Sequence, residues 1–221
     1  MYQIKVVVMN DVGYWVGRYL EFTTPSLLYP SLSYSYVDLG LPSGLKWADR
    51  NVGAETPQDN GLYFSWGNVD GHAVDENGNV SGGYSFDYDT YSTTPGSQYT
   101  DSTLDAEHDA ATVNMGEEWR MPTVDEIFEL VENTNHYYIS EDGNIVAGPF
   151  NYETNYEDKG LDSSKLRSIC FVKKSEEFDY DNRSNFIEFP FAGHCDGSLC
   201  YDDGYYGNVW SSSVVDYDAV R

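Results

Sequence analysis

The C-terminal part of the chain has a residue composition suited to contacting other molecules. From Phe189 to Arg221 there is no Glu, Lys, Gln or Met, although Asp stands at positions 196, 202, 203, 216 and 218, beside Tyr, Ser, Gly, Cys and His. Tyr offers a large, stiff contact area with a polar tip, and Ser, Gly and Asp add adaptable hydrogen bonding. This composition predicts a recognition surface. Because turns favour Asp, Gly and Ser for backbone reasons, an ordinary loop face is the alternative.

No spacing in the sequence predicts catalysis or a metal site. The four histidines show neither HxxxH nor HExxH spacing, and the GxSxG, P-loop and dinucleotide-binding motifs are absent. Asp75–Asn79 resembles a calcium loop, but its glycine would place the first ligand at Ala73, so we predict a hairpin turn. We predict no catalytic residue, no metal and no cofactor, although no pattern rules out a pair of acids that hydrolyses a glycosidic bond.

The charge balance excludes one class of partner. Twelve basic and 37 acidic residues give a formal net charge of −25 at pH 7. Because such a chain repels phosphates, we predict neither nucleic-acid binding nor attachment to anionic membranes. No segment has the length and apolarity of a membrane span. The short run Ile4–Met9 lacks the flanks of a secretory signal, so we expect no leader in this chain.

The cysteines favour free thiols over a disulfide framework. The chain has three, Cys170, Cys195 and Cys200, and no CxxC pair. A disulfide framework is unusual in a chain of this length, so we predict three free thiols. A local bridge between Cys195 and Cys200 is the alternative.

Periodicity divides the chain into a small N-terminal unit and a larger domain. Residues 1–35 are predicted as a β extension with strands near Ile4–Met9 and Tyr14–Phe22, followed by a Ser- and Pro-rich linker from Thr24 to Ser35. We expect this extension to attach or oligomerise the protein. Residues 36–221 are predicted to form the main domain.

Two helices are predicted in the middle of the main domain. Leu104–Asn114 would form the first, with a buried stripe of Ala106, Ala110 and Val113. Thr123, followed three residues later by Glu126, forms the capping box that starts the second. The second helix would bury Val124, Ile127, Phe128 and Val131.

The other predicted elements are strands and loops. Val37–Ala48 predicts a strand, a Pro/Gly turn and a second strand, and residues 68–103 predict a long surface loop. A turn is predicted at Ser140–Asn144, and buried strands at Phe186–Phe191 and Val209–Val215. Together these elements predict an α+β fold with two helices and mostly antiparallel strands.

Several blocks of the sequence resemble one protein family. They are Val37–Ala48, Asp109–Ala111, Trp119–Thr123, Phe189–Gly193 and Gly204–Ser213. The family is a major paralogous group of gut Bacteroidetes and their phages, and the match runs through residues 36–221 in order. The resemblance implies a C-type-lectin-like fold used for ligand or receptor binding. Some members are the variable proteins of diversity-generating retroelements.

The residue types in these blocks also give structural expectations. Trp119 and Trp210 are expected in the core, and Arg120 is expected to bind backbone carbonyls near the second helix. Relatives continue past the segment matching Val214–Arg221 with strands that close the sheet. Either this chain is cut short, or a partner chain supplies the closure.

The retroelement branch of the family implies adenine-directed mutagenesis, which would explain the C-terminal composition. An Asn codon randomised at both adenines can yield Tyr, Asp, Ser, His, Cys, Gly or Val, but never Glu, Lys, Gln, Met or Trp. The predicted variable, ligand-binding positions are His194, Cys195, Asp196, Ser198, Cys200, Tyr201, Asp202, Tyr205, Tyr206, Val209, Asp216 and Tyr217. The fixed frame between them would be Gly193, Gly197, Gly204, Gly207 and Trp210.

The function that the resemblance implies is non-enzymatic binding of a protein or glycan receptor on a cell surface. The protein would lie on a phage virion or a bacterial cell surface in the human gut. A carbohydrate-binding lectin domain is the alternative, although the Glu-Pro-Asn, Gln-Pro-Asp and Trp-Asn-Asp calcium motifs of that fold are absent. Gly207–Trp210 and Arg120–Thr123 also resemble formylglycine-generating enzymes. That chemistry needs an active cysteine pair and a Trp-Glu-Trp continuation, whereas three serines follow Trp210 here.

Overall fold

The computed structural model of this 221-residue chain describes residues 2–10, 13–22, 33–86, 103–150 and 166–213. Contacts divide the chain into two compact units, Met1–Ser31 and Leu32–Arg221. In the first unit, and at Asp202, the description covers the backbone alone. The described part of the second unit is α+β, with two α-helices and mostly antiparallel strands, which confirms the predicted class.

The N-terminal unit is a two-stranded antiparallel hairpin. β1 (Tyr2–Asn10) pairs with β2 (Gly13–Phe22) along most of its length. Both predicted strands are therefore confirmed. Residues 11–12 between the two strands, and the predicted linker as far as residue 32, lie outside the described residues.

Two short strands open the second unit. β3 (Tyr36–Val37) pairs antiparallel with β4 (Trp47–Ala48), and the Gly44 N–H donates to the Leu41 carbonyl at 2.9 Å in the turn between them. The predicted strand, turn and strand are confirmed, although each strand has only two residues.

The first helix is shorter than predicted. α1 spans Ala110–Met115, whereas the sequence predicted Leu104–Asn114 with Ala106 on the buried stripe. Asp109 is extended, and its carboxylate accepts the Thr112 N–H at 2.8 Å. A capping residue stands before the helix and not inside it, so the helix cannot begin earlier. The prediction for Ala106 was wrong, because this residue precedes the cap and is exposed.

The second helix begins at the predicted capping box. α2 (Val124–Asn133) is capped by Thr123, whose hydroxyl accepts the Glu126 N–H at 3.3 Å while the Glu126 carboxylate accepts the Thr123 N–H at 2.8 Å. Arg120 donates to the Met121 carbonyl at 3.2 Å, as expected. Its closer partner is Glu126, which it contacts through both terminal nitrogens at 2.7 and 2.5 Å.

The buried face of α2 is rotated relative to the prediction. Phe128 was expected inside but is 48% exposed, whereas Leu130 is 1% exposed. Successive residues turn by about 100° around a helix. The apolar stripe is centred on Ile127, so Leu130 lies within it and Phe128 lies past its edge.

A four-stranded antiparallel sheet forms the centre of the second unit. Its strands, in spatial order, are β6 (Ile145–Phe150), β5 (Thr134–Ser140), β7 (Leu166–Lys173) and β8 (Phe186–Pro190). β8 confirms the buried strand predicted at Phe186–Phe191. The predicted turn between β5 and β6 is also confirmed, since the Ser140 N–H donates to the Asn144 carbonyl at 2.9 Å.

Both faces of this sheet are covered. One face is covered by an apolar cluster of buried residues, which are Val37, Leu39, Leu41, Leu130, Phe171 and Ile187. The other carries Ile139, Cys170, Val172 and Phe186, packed against Tyr137, Phe178 and Tyr180. Cys170 is a free thiol, as predicted, and burial raises its pKa.

The two tryptophans expected in the core lie at its margin. Trp119 and Trp210 are both half-buried and belong to neither apolar cluster. The Trp210 indole donates to the Phe64 carbonyl at 2.9 Å, and the Trp119 ring meets the edge of Tyr34. Both indoles therefore contact loop residues and not the apolar clusters on the sheet.

A buried carboxylate lies on the face of the sheet that carries Cys170. The Glu188 side chain has no solvent exposure and accepts hydrogen bonds from Arg183 at 2.7 Å, Arg167 at 2.9 Å and Ser168 at 2.6 Å. The Tyr180 hydroxyl lies 2.9 Å away. Burial alone would raise the pKa of Glu188, but these hydrogen bonds together lower it. This network was not predicted from the sequence.

None of the helices in the described part of the chain has the length and apolarity to span a bilayer.

Candidate functional site

The C-terminal segment folds into a tight hairpin. β9 (Ala192–Asp196) pairs antiparallel with β10 (Leu199–Asp203), and Gly197 and Ser198 form the connection. Gly197 has a φ of 60°, in the left-handed region that glycine adopts without steric cost. This geometry favours glycine at position 197. That Gly197 belongs to a fixed frame between variable positions stays a prediction.

One face of the hairpin, here called the outer face, is exposed along its length. Directly paired residues lie on the same side of an antiparallel ladder, and successive residues alternate between sides. The pairs Asp196 with Leu199 and His194 with Tyr201 therefore share a face. The outer face consists of His194, Asp196, Leu199, Tyr201 and Asp203, all of them exposed.

The opposite face carries a disulfide bond. Cys195 and Cys200 are direct cross-strand partners, half-buried, and joined to each other. The prediction that both are free thiols was wrong. Their spacing of five residues brings them opposite each other only when the chain turns at Gly197, and a two-residue turn was not predicted. These two candidate residues brace the hairpin from behind the outer face.

The residues after the hairpin fold back beside β9. The Gly193 N–H donates to the Tyr206 carbonyl at 2.7 Å, and the Gly204 N–H donates to the Phe191 carbonyl at 2.6 Å. A Cβ at Gly207 would meet the Phe191 ring at 3.3 Å. These contacts fix the backbone, whereas the side chains of the segment point to solvent. Tyr205 and Tyr206 are 50% and 63% exposed.

A second segment, residues 74–86, braces the edge of β10 that is not paired with β9. The Cys200 N–H donates to the Gly78 carbonyl at 2.8 Å, and Phe86 and Gly197 exchange backbone hydrogen bonds of 2.6 and 2.7 Å. A Cβ at Gly78, whose φ is 79°, would lie 2.7 Å from the Cys200 carbonyl oxygen. The predicted hairpin turn is confirmed, since the Gly78 N–H donates to the Asp75 carbonyl at 2.9 Å.

The base of the hairpin is held by residues near the start of the domain. The Tyr63 hydroxyl donates to the Ala192 carbonyl at 2.7 Å, and the Asn60 amide donates to the Asp203 carboxylate at 3.1 Å. Burial, with the negative charge of Asp203, raises the pKa of Tyr63 to about 12. The hydroxyl therefore stays protonated and keeps its role as a donor at neutral pH.

Most of the predicted site residues are exposed within one short segment of the chain. His194, Asp196, Ser198, Tyr201, Tyr205, Tyr206 and Val209 are all exposed on the hairpin or the loop after it. We call these residues, together with Leu199 and Asp203, the hairpin surface. The Asp202 side chain, Asp216 and Tyr217 lie outside the described residues.

Two members of the hairpin surface were not predicted from the sequence. Leu199 and Asp203 were not among the candidates, although period-two alternation from Tyr201 would have found both.

A strand was predicted over Val209–Val215. Within the described part of that range only an isolated bridge at Ser213 occurs. Hydrogen bonds from the Trp210 indole and from the buried serines after it hold the described part of this segment to loops instead of to a strand.

The hairpin surface concentrates exposed apolar groups. Among the described residues, nine large hydrophobic side chains are exposed, and five of them are Leu199, Tyr201, Tyr205, Tyr206 and Val209. Single exposed hydrophobic residues are normal on a protein surface, whereas clusters mark interaction sites. Across the described ranges no group of three or more His, Cys, Asp or Glu could hold a metal ion.

Comparisons of the chain with protein-family models, with curated proteins and with solved structures found no match. The function proposed below therefore rests on the residues and their geometry.

The disulfide should contribute measurably to the order of the hairpin. For a loop this short, the chain-entropy model gives about 2 kcal/mol. We expect the Cys195→Ser/Cys200→Ser double variant to be less stable by that amount and to exchange the Cys200 and Val80 amide hydrogens faster, as measured by hydrogen exchange. Wild-type protein treated with a thiol reductant is the matched control and should behave alike. Unchanged exchange would show that the hydrogen bonds around the hairpin hold it without the disulfide.

Proposed function

We propose that this chain is a non-enzymatic display protein that binds a receptor or ligand through the hairpin surface. The observation that carries the proposal is the concentration of exposed Leu, Tyr and Val side chains between residues 199 and 209. Tyrosines with few rotatable bonds, set among small polar residues, have the composition of known binding loops. A protein or a glycan on a cell surface is the partner that we propose.

The backbone under these side chains supports the proposal. The hairpin is pinned by a disulfide, by residues 74–86 along one edge and by the Tyr206 carbonyl along the other. A surface ordered before binding loses less conformational entropy when the partner arrives. Side chains on it can also be exchanged without disturbing the buried contacts.

We further propose that the second unit has a C-type-lectin-like fold and belongs with the variable proteins of diversity-generating retroelements. The two helices and antiparallel strands are compatible with that fold. Seven of the predicted variable positions are exposed, and Gly193, Gly197 and Gly204 between them have positive φ. A reverse transcriptase gene and a template repeat beside the coding DNA would support diversification. Residues 1–35 would attach or oligomerise the protein on a phage virion or a bacterial surface.

The proposed function is tested by binding to whole cells. Labelled full-length protein is titrated onto a panel of gut Bacteroidetes strains, and the Tyr205→Ser/Tyr206→Ser double variant is compared with it. Removing central aromatic anchors should weaken binding by on the order of 2 kcal/mol, roughly thirtyfold.

Tyr36→Ser is the matched control for this experiment, because Tyr36 is 60% exposed and lies on β3, outside the hairpin surface. It should leave binding unchanged. Equal binding by all three proteins to a strain that they recognise would refute the role of the hairpin surface.

A carbohydrate-binding domain is the second candidate. The exposed rings of Tyr201, Tyr205 and Tyr206 offer apolar faces of the kind that stack on sugars. A glycan array probed with and without a chelator separates this candidate from protein recognition. Chelator-sensitive binding would reveal a calcium-dependent lectin.

A further inference from the structure

We propose that the partner of the hairpin surface is a protein that presents lysine and arginine side chains at the contact. This inference rests on the proposed function, since it names the partner class of the same surface. Its basis is the sign of the charges that surround the exposed tyrosines.

The segments that build this surface lack cationic side chains. Residues 51–119, which include the bracing segment, contain no Lys or Arg, and neither do residues 189–213. The hairpin surface carries the exposed carboxylates of Asp196 and Asp203. The adjoining turn, whose Gly78 is hydrogen-bonded to Cys200, adds exposed Asp75 and Glu76.

The arginine beside the start of the hairpin is already engaged elsewhere. Arg167 lies beside the start of the hairpin, since its carbonyl accepts the Phe191 N–H at 2.8 Å. Its guanidinium, however, contacts the buried Glu188 carboxylate at 2.9 Å. The negative charge at the hairpin surface is therefore not neutralised from that side.

Aromatic and acidic groups side by side favour a cationic partner in two ways. Lys and Arg gain charge-assisted contacts with the aspartates and cation–π contacts with the tyrosine rings. Sulfated glycans, phosphorylated lipids and acidic proteins would be repelled. A neutral glycan would contact the tyrosines but would gain nothing from the carboxylates. The combination points to a basic protein surface.

The test uses immobilised peptides matched in length and tyrosine content that differ in their Lys, Arg and Glu content. Full-length protein is compared with the Asp196→Asn/Asp203→Asn variant and with Glu141→Gln/Asp142→Asn, which removes two exposed charges from the β5–β6 turn. We expect binding to Lys- and Arg-rich peptides that falls roughly three- to tenfold in the hairpin variant and not in the turn variant. Added salt should weaken it further.

The outcomes separate the inference from the proposed function. Equal losses in the two charge variants would mean that net charge alone attracts the peptides, which overturns the inference. The same three proteins, together with the Tyr205→Ser/Tyr206→Ser variant, are also titrated onto a strain bound in the whole-cell assay. Binding there that needs Tyr205 and Tyr206 but ignores the aspartates overturns the inference and leaves the proposed function standing. Indifference to both the tyrosine and the aspartate changes rejects both.

Discussion

Replacing Glu188 with alanine should destabilise the second unit by roughly 3–5 kcal/mol. The carboxylate is fully buried and joins Arg167 and Arg183, two cations that sit partly inside the protein. Without it, both guanidiniums lose their counter-charge, and the Ser168 hydroxyl loses its acceptor. Urea unfolding monitored by tryptophan fluorescence measures the change.

The control for this variant is Glu176→Ala, which removes the same side chain from an exposed position in the turn after β7. Its effect should be close to zero, as is usual for exposed charges. If the two variants unfold alike, the network around Glu188 does not stabilise the fold.

The same carboxylate should help to set the acid limit of stability. Its pKa in the folded protein lies below the ordinary value of 4.5, so the unfolded chain binds the proton more readily. The contribution of Glu188 is therefore fully present above pH 4.5 and is lost as the pH falls through the lowered pKa. Glu188→Gln should flatten this part of the stability curve.

Local signals in the sequence predicted the local parts of the fold. The two hydrogen bonds of the capping box join Thr123 and Glu126, which stand three residues apart, so the box is visible in four residues. The turn at Asp75–Asn79 is likewise made by its own side chains and backbone. Each depends on neighbours in the chain, and each was predicted correctly.

Features that depend on tertiary contacts were missed. The Cys195–Cys200 bond needs the register of the hairpin, in which the chain turns at Gly197, and Gly197 exchanges backbone hydrogen bonds with Phe86, far away in sequence. Glu188 lies inside a strand predicted as buried. Its partners Arg183 and Arg167 stand 5 and 21 residues before it, and neither spacing signals an ion pair in the sequence. Leu199 and Asp203 follow the period-two alternation from Tyr201, and the pairing of β9 with β10 places them on the outer face.

The hairpin surface illustrates how one segment can combine constraint and freedom. In the strands, inward positions are fixed by the disulfide and by Gly193, whereas outward positions contact solvent. Composition identified seven of the exposed positions because Tyr, Asp and Ser are typical of binding loops and of turns, and both lie at the surface. It could not separate Cys195 and Cys200 from their neighbours, since a pattern of residue types does not tell which side of a strand a side chain takes.

The largest packing effect is expected for Phe186→Ala, at roughly 3–5 kcal/mol. Phe186 is 2% exposed, and its ring contacts Phe178 and Tyr180, which lie in the loop between β7 and β8. Its loss leaves a cavity between that loop and the sheet. Urea unfolding gives the magnitude, and Phe128→Ala is the control of equal chemistry, since Phe128 is half exposed on α2 and should cost little.

The free thiol in this cluster reports whether the loop between β7 and β8 covers that face of the sheet. Cys170 is fully buried in the same apolar cluster as Phe186, and it reacts with a thiol reagent only when the cover opens. Phe186→Ala should therefore speed Cys170 labelling under native conditions. Glu188→Ala should do the same, because Arg183 and Tyr180 tie the covering loop to that carboxylate. Labelling at the wild-type rate in both variants would mean that the loop is not the cover.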